Sequence, residues 1–264
     1  MEATQTMVNT SVKNGVMTIE LTFDPGNCYT HEMMKQLDAA ILEARFNNDV
    51  QAIVLRGAGE KFFSAGANIS MLNSVTPRFK FFFCLHANET LNRLEQTPKL
   101  VIAAINGHCV GGGLEIAMAA DIRIAKKDSG KIGLPEVNLG VLAGTGGTQR
   151  LCRLVGKSQS IELMVTGRTF TFEEALDMKL INEIYDKDEY WDNVMTYAKQ
   201  FCPPNKASKA VGLIKRSVQS GSEMAFQDSL ALERELQQQL FQSGDAKEGI
   251  AAYVEKRQAK FEGK

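Results

Sequence analysis

No CxxC pair occurs in the chain, and its five cysteines, Cys28, Cys84, Cys109, Cys152 and Cys202, are odd in number and widely spaced. That pattern argues against a disulfide framework or a cysteine-rich zinc site, and it fits reduced thiols in a cytoplasmic protein. Three histidines, His31, His86 and His108, lack metal-ligand spacing, so no metal centre is expected and each reads as structural. An excess of charge is missing too. With 30 Lys and Arg against 31 Asp and Glu the formal net charge is −1, which leaves no footprint for nucleic acid, although a local basic patch for one anionic ligand stays open. No segment approaches the roughly 18 apolar residues of a membrane span. The opening MEATQTMVNTSVKNG has no basic region followed by an apolar run, so neither a leader nor a membrane partner is expected. Three enzyme signatures are absent as well: GxxxxGK with Ser or Thr, GxGxxG opening a helix, and GxSxG around a serine nucleophile.

What is present is an ordinary globular composition, 44% hydrophobic and 23% charged over 264 residues, long enough to bury a large core. Composition shifts nowhere sharply enough to mark two independent domains, so we read one core over residues 1–200 and a helical region over 201–264. The first half alternates β-type runs with helical ones: VMTIELTF (16–23), THEMMKQLDAAILEARF (30–46), QAIVLRGA (51–58), KLVIAAING (99–107) and DIRIAKK (121–127). Such alternation implies βαβ crossovers and largely parallel pairing, an α/β fold. In the first helical run Met33, Met34, Leu37, Ile41 and Leu42 recur near helical spacing, with Thr30 placed to cap it. From about residue 157 the pattern becomes helical. Helices with no strands to cover must pack on one another, on the core or on a neighbouring subunit, and the neighbour is the reading favoured here.

Chemistry concentrates in three glycine-bearing turns. In GHCVGGGLE (107–115) a carboxylate, Glu115, follows three glycines and precedes the apolar IAMAADIRIA. Burying an unpaired charge there costs several kcal/mol or shifts its pKa, so something must compensate it. Glycines at a helix start permit close approach, and the free N–H groups there attract an oxygen bearing negative charge. A second small-residue turn, Ser64 to Ala67 in EKFFSAGANIS, follows the strand QAIVLRGA. Two such turns can converge backbone donors on one oxygen. The third segment, GKIGLPEVNLGVLAGTGGTQRL (130–151), carries Glu136 after a proline. Two carboxylates beside apolar, glycine-lined surface suggest an acid–base pair.

Taken together, FFSAGANI, AAINGHCVGGGLEIAMAADIRIA, LPEVNLGVLAGTGGTQRL and KEGIAAYVEKRQAKF resemble the crotonase, or enoyl-CoA hydratase/isomerase, superfamily over nearly the whole chain. The resemblance implies a crotonase-like superhelix of ββα repeats with a C-terminal helical region that builds a homotrimer or a dimer of trimers and closes the site. It implies an acyl-CoA thioester as substrate, with coenzyme A part of that substrate and no separate cofactor. By motif, the N–H groups of Ala67 and Gly112 would form an oxyanion hole, and Glu115 and Glu136 would hold and activate water. Lys61, Ala65, Ala67, Asn68, Ile69, Tyr253 and Lys256 match positions that contact the coenzyme in relatives.

Three departures stand out. The family commonly has Asp where this chain has Asn68, Pro where it has Ala143, and Lys where it has Ser70. The first keeps hydrogen bonding without a charge, and the last removes one cation near the coenzyme. Isomerisation, thioester hydrolysis and decarboxylation run on the same scaffold, but isomerases of the family usually keep only the carboxylate at the position of Glu136, so Glu115 favours hydration. A non-catalytic or RNA-binding relative would show lost glutamates or a basic face. Acyl specificity is expected in ISMLNSVTPRFKFFFCLHANETL, where Phe81, Phe82 and Phe83 sweep about 200° around a helix and cannot all face one core.

Overall fold

A computed structural model describes residues 5–264, so the first residues of the stretch read above as lacking a leader lie outside the described part. The chain begins with a hairpin, β1 (Val8–Lys13) and β2 (Val16–Leu21), paired antiparallel. β1 escapes the periodicity reading because it is an edge strand whose side chains are nearly all exposed. Helix α1 (His31–Phe46) follows, with the Thr30 side chain accepting from the Met33 amide at 3.2 Å and Met33, Met34, Leu37 and Ile41 buried. The hydroxyl satisfies one of the orphan N–H groups at the helix start, and the apolar stripe fixes which face turns inward.

Three successive units then share one plan, a long strand, a short strand and a helical turn. The first is β3 (Ala52–Gly57), β4 (Phe62–Ser64) and helices α2 (Ile69–Ser74) and α3 (Pro77–Gln96). The second is β5 (Leu100–Ile105), β6 (His108–Val110) and α4 (Gly112–Met118). The third is β7 (Ile122–Lys126), β8 (Ile132–Gly133) and a 3-10 turn over Glu136–Leu139. The long strands build a six-stranded sheet in the order β1-β2-β3-β5-β7-β9, where β9 is Glu183–Tyr185, and the short ones a parallel three-stranded sheet β4-β6-β8. Apart from the opening hairpin every pairing in the large sheet is parallel.

The large sheet is covered on both faces, as parallel sheets require. Met17, Ile19, Ile53, Leu55, Val101 and Ala103 face the cluster built on α1 and α3, while their alternating neighbours Val16, Ala52, Val54, Ile102, Ala104 and Ile124 face Tyr190, Val194 and Ala198. The period of two along each strand produces this division. Each fully buried aliphatic side chain contributes about 1.5–3 kcal/mol relative to exposure.

The expectation of a purely helical second half needs correction. α5 (Gly147–Val155), α6 (Lys157–Thr166) and α7 (Phe172–Asp177) are helical, but β9 extends the sheet, and α8 (Tyr190–Lys199) lies on β2 and β3. Three residues are too few to display a strand period, which is why β9 is silent in the sequence. Next, α9 (Ser208–Gly221) packs against α3 and β5. Its Lys215 is buried and reaches Asp121 at 2.9 Å, while Asp121 also accepts from the Val101 amide at 2.7 Å. Burial pushes Lys215 down and Asp121 up from their ordinary pKa values, and each opposes the other's shift. The helices α10 (Phe226–Phe241) and α11 (Gly244–Val254) end the chain, with α10 against α9. Phe226, Phe241, Ile250, Tyr253 and Val254 are exposed on them. No helix among the described residues is long and apolar enough to cross a membrane.

Candidate active site

Because β4, β6 and β8 are parallel neighbours, the turns that follow them emerge at the same edge of the small sheet. Those turns are the three segments singled out in the sequence. Carboxyl ends of parallel strands are where α/β folds place their ligands. The first two touch closely: a Cβ added to Gly66 would lie 2.9 Å from the Gly112 amide nitrogen. Gly66 has φ +89°, a left-handed conformation that glycine adopts without steric cost.

Among the backbone donors that the hydrogen bonding around these turns leaves over are two from the first two turns. Tyr29 pairs with the Ala67 segment as a parallel bridge, its N–H donating to the Gly66 carbonyl at 2.9 Å and its carbonyl accepting from Asn68 at 3.0 Å. In such a bridge the intervening residue's own N–H points to the other side. Ala67 N–H has no acceptor among the described residues, and neither has Gly112 N–H, which heads α4 where no intrahelical acceptor exists. α4 spans only seven residues, so its donor strength lies in these local amides rather than in a long dipole.

Glu115 sits one turn into α4 with 2% exposure. Its Oε1 accepts from the amides of Thr145 and Gly147, both at 2.7 Å. These two donors are the compensation that the sequence demanded for a carboxylate in an apolar helix. Burial raises its pKa, and the bonds from Gly147 and Thr145 work in the opposite direction. Glu136 opens the 3-10 turn and is half-buried, its Oε1 lying above Gly111 and its Oε2 buried with no hydrogen-bond partner among the described residues. Burial, and then the nearby Glu115, push its carboxyl up to about 7, against a hydrogen bond from its own backbone. The two carboxylates are therefore within electrostatic reach of one another.

The remaining predicted residues divide in two. Ala65, Asn68 and Ile69 lie on the same rim, Asn68 capping α2 by accepting from Met71 N–H at 2.9 Å and Ile69 exposed. Lys61 is exposed at the head of β4, its ammonium 5.5 Å from the Phe62 ring centroid. Tyr253, 87% exposed, and Lys256 belong to α11 and the turn after it. No hydrogen bond or ion pair among the described residues joins them to the Lys61–Ile69 rim. Of the three phenylalanines, Phe83 is buried against Tyr29, with ring centroids 5.7 Å apart, while Phe81 and Phe82 are exposed.

Sequence reasoning missed Tyr29 and Thr145, whose hydroxyls meet at 3.1 Å, and an apolar cleft of about 240 Å³ beside Glu136 lined by Val137, Val141, Leu142 and Met164. The apolar residues scattered through the glycine-rich loop were the available signal for the cleft.

The family model described as enoyl-CoA hydratase/isomerase matches residues 11–264. The chain belongs to this family. Over 237 residues it is 38% identical to a short-chain-enoyl-CoA hydratase of Clostridium acetobutylicum, covering 90% of this chain and 89% of the relative. A crotonyl-CoA hydratase of Syntrophomonas wolfei is 32% identical over 89% of each chain. The crystal structure of an enoyl-CoA hydratase from Geobacillus kaustophilus superposes with a TM-score of 0.96 at 43% identity, covering 99% of this chain and 98% of that one. The fold is therefore the crotonase fold of ββα units followed by a helical C-terminal region.

Proposed function

We propose that this enzyme adds water across the double bond of an α,β-unsaturated acyl-CoA thioester to give the 3-hydroxyacyl-CoA. The observation that carries this reading is one edge of a small sheet holding two acceptor-free amides beside two carboxylates, of which Glu136 is raised in part by the charge of Glu115. Relatives named as hydratases support it.

In this reading the thioester oxygen accepts from Ala67 and Gly112, which draws electron density from the conjugated system and makes Cβ electrophilic. Water between the glutamates attacks Cβ, and the enolate oxygen stays on the same two amides, each such donor worth about 100- to 1000-fold in rate. Two carboxylates sharing one water do not both ionise. Glu115, with two amides on Oε1, keeps the negative charge and takes the proton from water; Glu136, whose Oε2 has no donor, keeps the proton and delivers it to Cα. The scheme calls for no separate cofactor. Lys61, Ala65, Asn68 and Ile69 are assigned to the coenzyme along the rim, with Tyr253 and Lys256 for its nucleotide end and the apolar cleft beside Glu136 for the acyl tail.

Linear, branched and cyclic enoyl-CoA esters, followed by loss of the conjugated thioester absorbance, test the activity. Heavy-oxygen water should place label at Cβ. Double-bond migration in a 3-enoyl-CoA with no label incorporated would assign isomerisation instead. The exposed apolar residues of α9 to α11 suit a homotrimer or a dimer of trimers, and sedimentation of the intact chain as a monodisperse monomer would contradict that assembly.

A further inference from the structure

We infer that Tyr29 and Thr145 act as a positioning pair for Glu115, the Tyr29 hydroxyl donating to Thr145 Oγ1 so that the hydrogen of Thr145 is free to turn toward the carboxylate. The inference rests on the hydratase reading and deepens it. Both residues are buried, at 2% and 1% exposure, and their hydroxyls lie 3.1 Å apart although 116 positions separate them in sequence. A buried hydroxyl without a partner is costly, and Thr145 is the one hydrogen-bond partner of the Tyr29 hydroxyl among the described residues.

Tyr29 reaches three parts of the site, each through a different group. Its backbone N–H and carbonyl bracket Ala67 by bonding to Gly66 and Asn68. Its ring lies so close to Gly112 that any Cβ there would collide with it. Its hydroxyl meets Thr145, whose amide holds Glu115 Oε1 at 2.7 Å. Neither hydroxyl enters the chemistry of hydration. What the pair controls is where the Glu115 carboxylate stands and how strongly it holds a proton.

The direction of the second effect follows from the inferred turn of the Thr145 hydroxyl toward Glu115, beside the Thr145 amide that already holds the carboxylate. A hydroxyl donated by Thr145 favours the ionised form of Glu115 and lowers its pKa. The other charged or titratable groups facing this point are Glu136 from the 3-10 turn, Arg150 from α5, which also favours the carboxylate, and Cys84 from α3 behind Tyr29. Arg150 is already engaged by Glu95 at 2.6 Å. Removing the Thr145 hydroxyl should therefore raise the Glu115 pKa and move the acidic limb of kcat/KM to higher pH, because that limb reports the base in the free enzyme.

The experiment compares Thr145→Val, Thr145→Ser, Tyr29→Phe and the Tyr29→Phe/Thr145→Val double variant in full pH profiles. Thr145→Val should lower kcat about ten- to a hundredfold, the range for a lost hydrogen bond to a charged group, with KM moving less than about threefold. Its acidic limb should rise in pH. Thr145→Ser should bring both readouts back, Tyr29→Phe should show a smaller shift of the same sign, and the double variant should be no worse than Thr145→Val alone. Unshifted limbs in both single variants, or losses that simply multiply in the double, would overturn the pairing. Titration of an isotope-labelled glutamate carboxyl in the folded protein reads the same proton without turnover. If the wild type hydrates no enoyl-CoA, the hydratase reading fails while this arm still decides whether the pair tunes Glu115.

Discussion

Glu115 and Glu136 are the same residue type in two different settings. Glu115 stands on an α-helix whose residues Gly112–Met118 are all buried, and it is held by two amides, thirty and thirty-two residues away, from the glycine-rich loop and the first residue of α5. Glu136 starts a single 3-10 turn with no buried residue, and one of its oxygens has no donor among the described residues. Burial raises both pKa values, but only Glu115 is given hydrogen bonds from other residues that favour its charge. In the proposed hydration, the donors the fold supplies, and not the residue type, would divide two identical carboxyls into a base and a proton-bearing acid.

The largest effect should come from neutralising either group. Glu115→Gln and Glu136→Gln should each cut hydration by about three orders of magnitude or more, and the double variant should lose little further because the pair acts as a unit. Glutamine at 115 still offers an oxygen to Thr145 and Gly147, so folding should survive. Rate measurements on the three variants check this. Full activity of Glu115→Gln on an enoyl-CoA would show that Glu136 suffices.

A smaller effect should follow from crowding each carboxyl in turn. A Cβ at Gly147 would lie 2.9 Å from Glu115 Oε1 and 2.7 Å from Ala143 Cβ, both fixed by packing, so Glu115 must move. A Cβ at Gly111 would lie 3.1 Å from Glu136 Oε1, on a side chain with room to give. Gly111 also has φ +55° with ψ −134°, outside the left-handed helical region and nearly reserved for glycine, where a side chain costs on the order of 1–3 kcal/mol. Gly147→Ala should therefore depress kcat by about a hundredfold, while Gly111→Ala should mainly lower Tm. The reverse ranking would mean that Glu136, not Glu115, is the rigidly placed group.

The same contrast marks how far the chain could be read in advance. Glu115 stood out because a charge between a glycine run and IAMAAD has no cheap explanation, and the large strands showed their apolar runs. The convergence of turns 64–67, 110–112 and 133–136 was not derivable from periodicity, since it depends on three short strands lying side by side in a second sheet. Family resemblance supplied it. Tyr29 precedes the first helix and Thr145 lies in the glycine-rich loop, and nothing local in the sequence records a contact across 116 positions. β9 and β1 were silent for simpler reasons: one is too short to show a period, and the other faces solvent along nearly all its length.

The smallest effect concerns stability, where the two carboxyls should share a sign. A group whose folded pKa is raised binds its proton more tightly in the folded chain, so its contribution is fully present below the unfolded pKa and is lost as pH rises through the folded value. For Glu136 that window runs from the ordinary carboxylate value of 4.5 to about 7. Below it, wild type and Glu136→Gln both carry a neutral side chain there and should melt nearly together. Above it the wild type holds a half-buried charge and Gln does not, so the Tm of Glu136→Gln should climb relative to wild type. Glu115→Gln should gain in the same direction as pH rises, because burial raises the Glu115 pKa as well despite the amides of Thr145 and Gly147. Paired thermal melts across that window decide it. A flat difference for Glu136→Gln would show that the half-buried site does not hold the Glu136 proton more tightly in the folded chain.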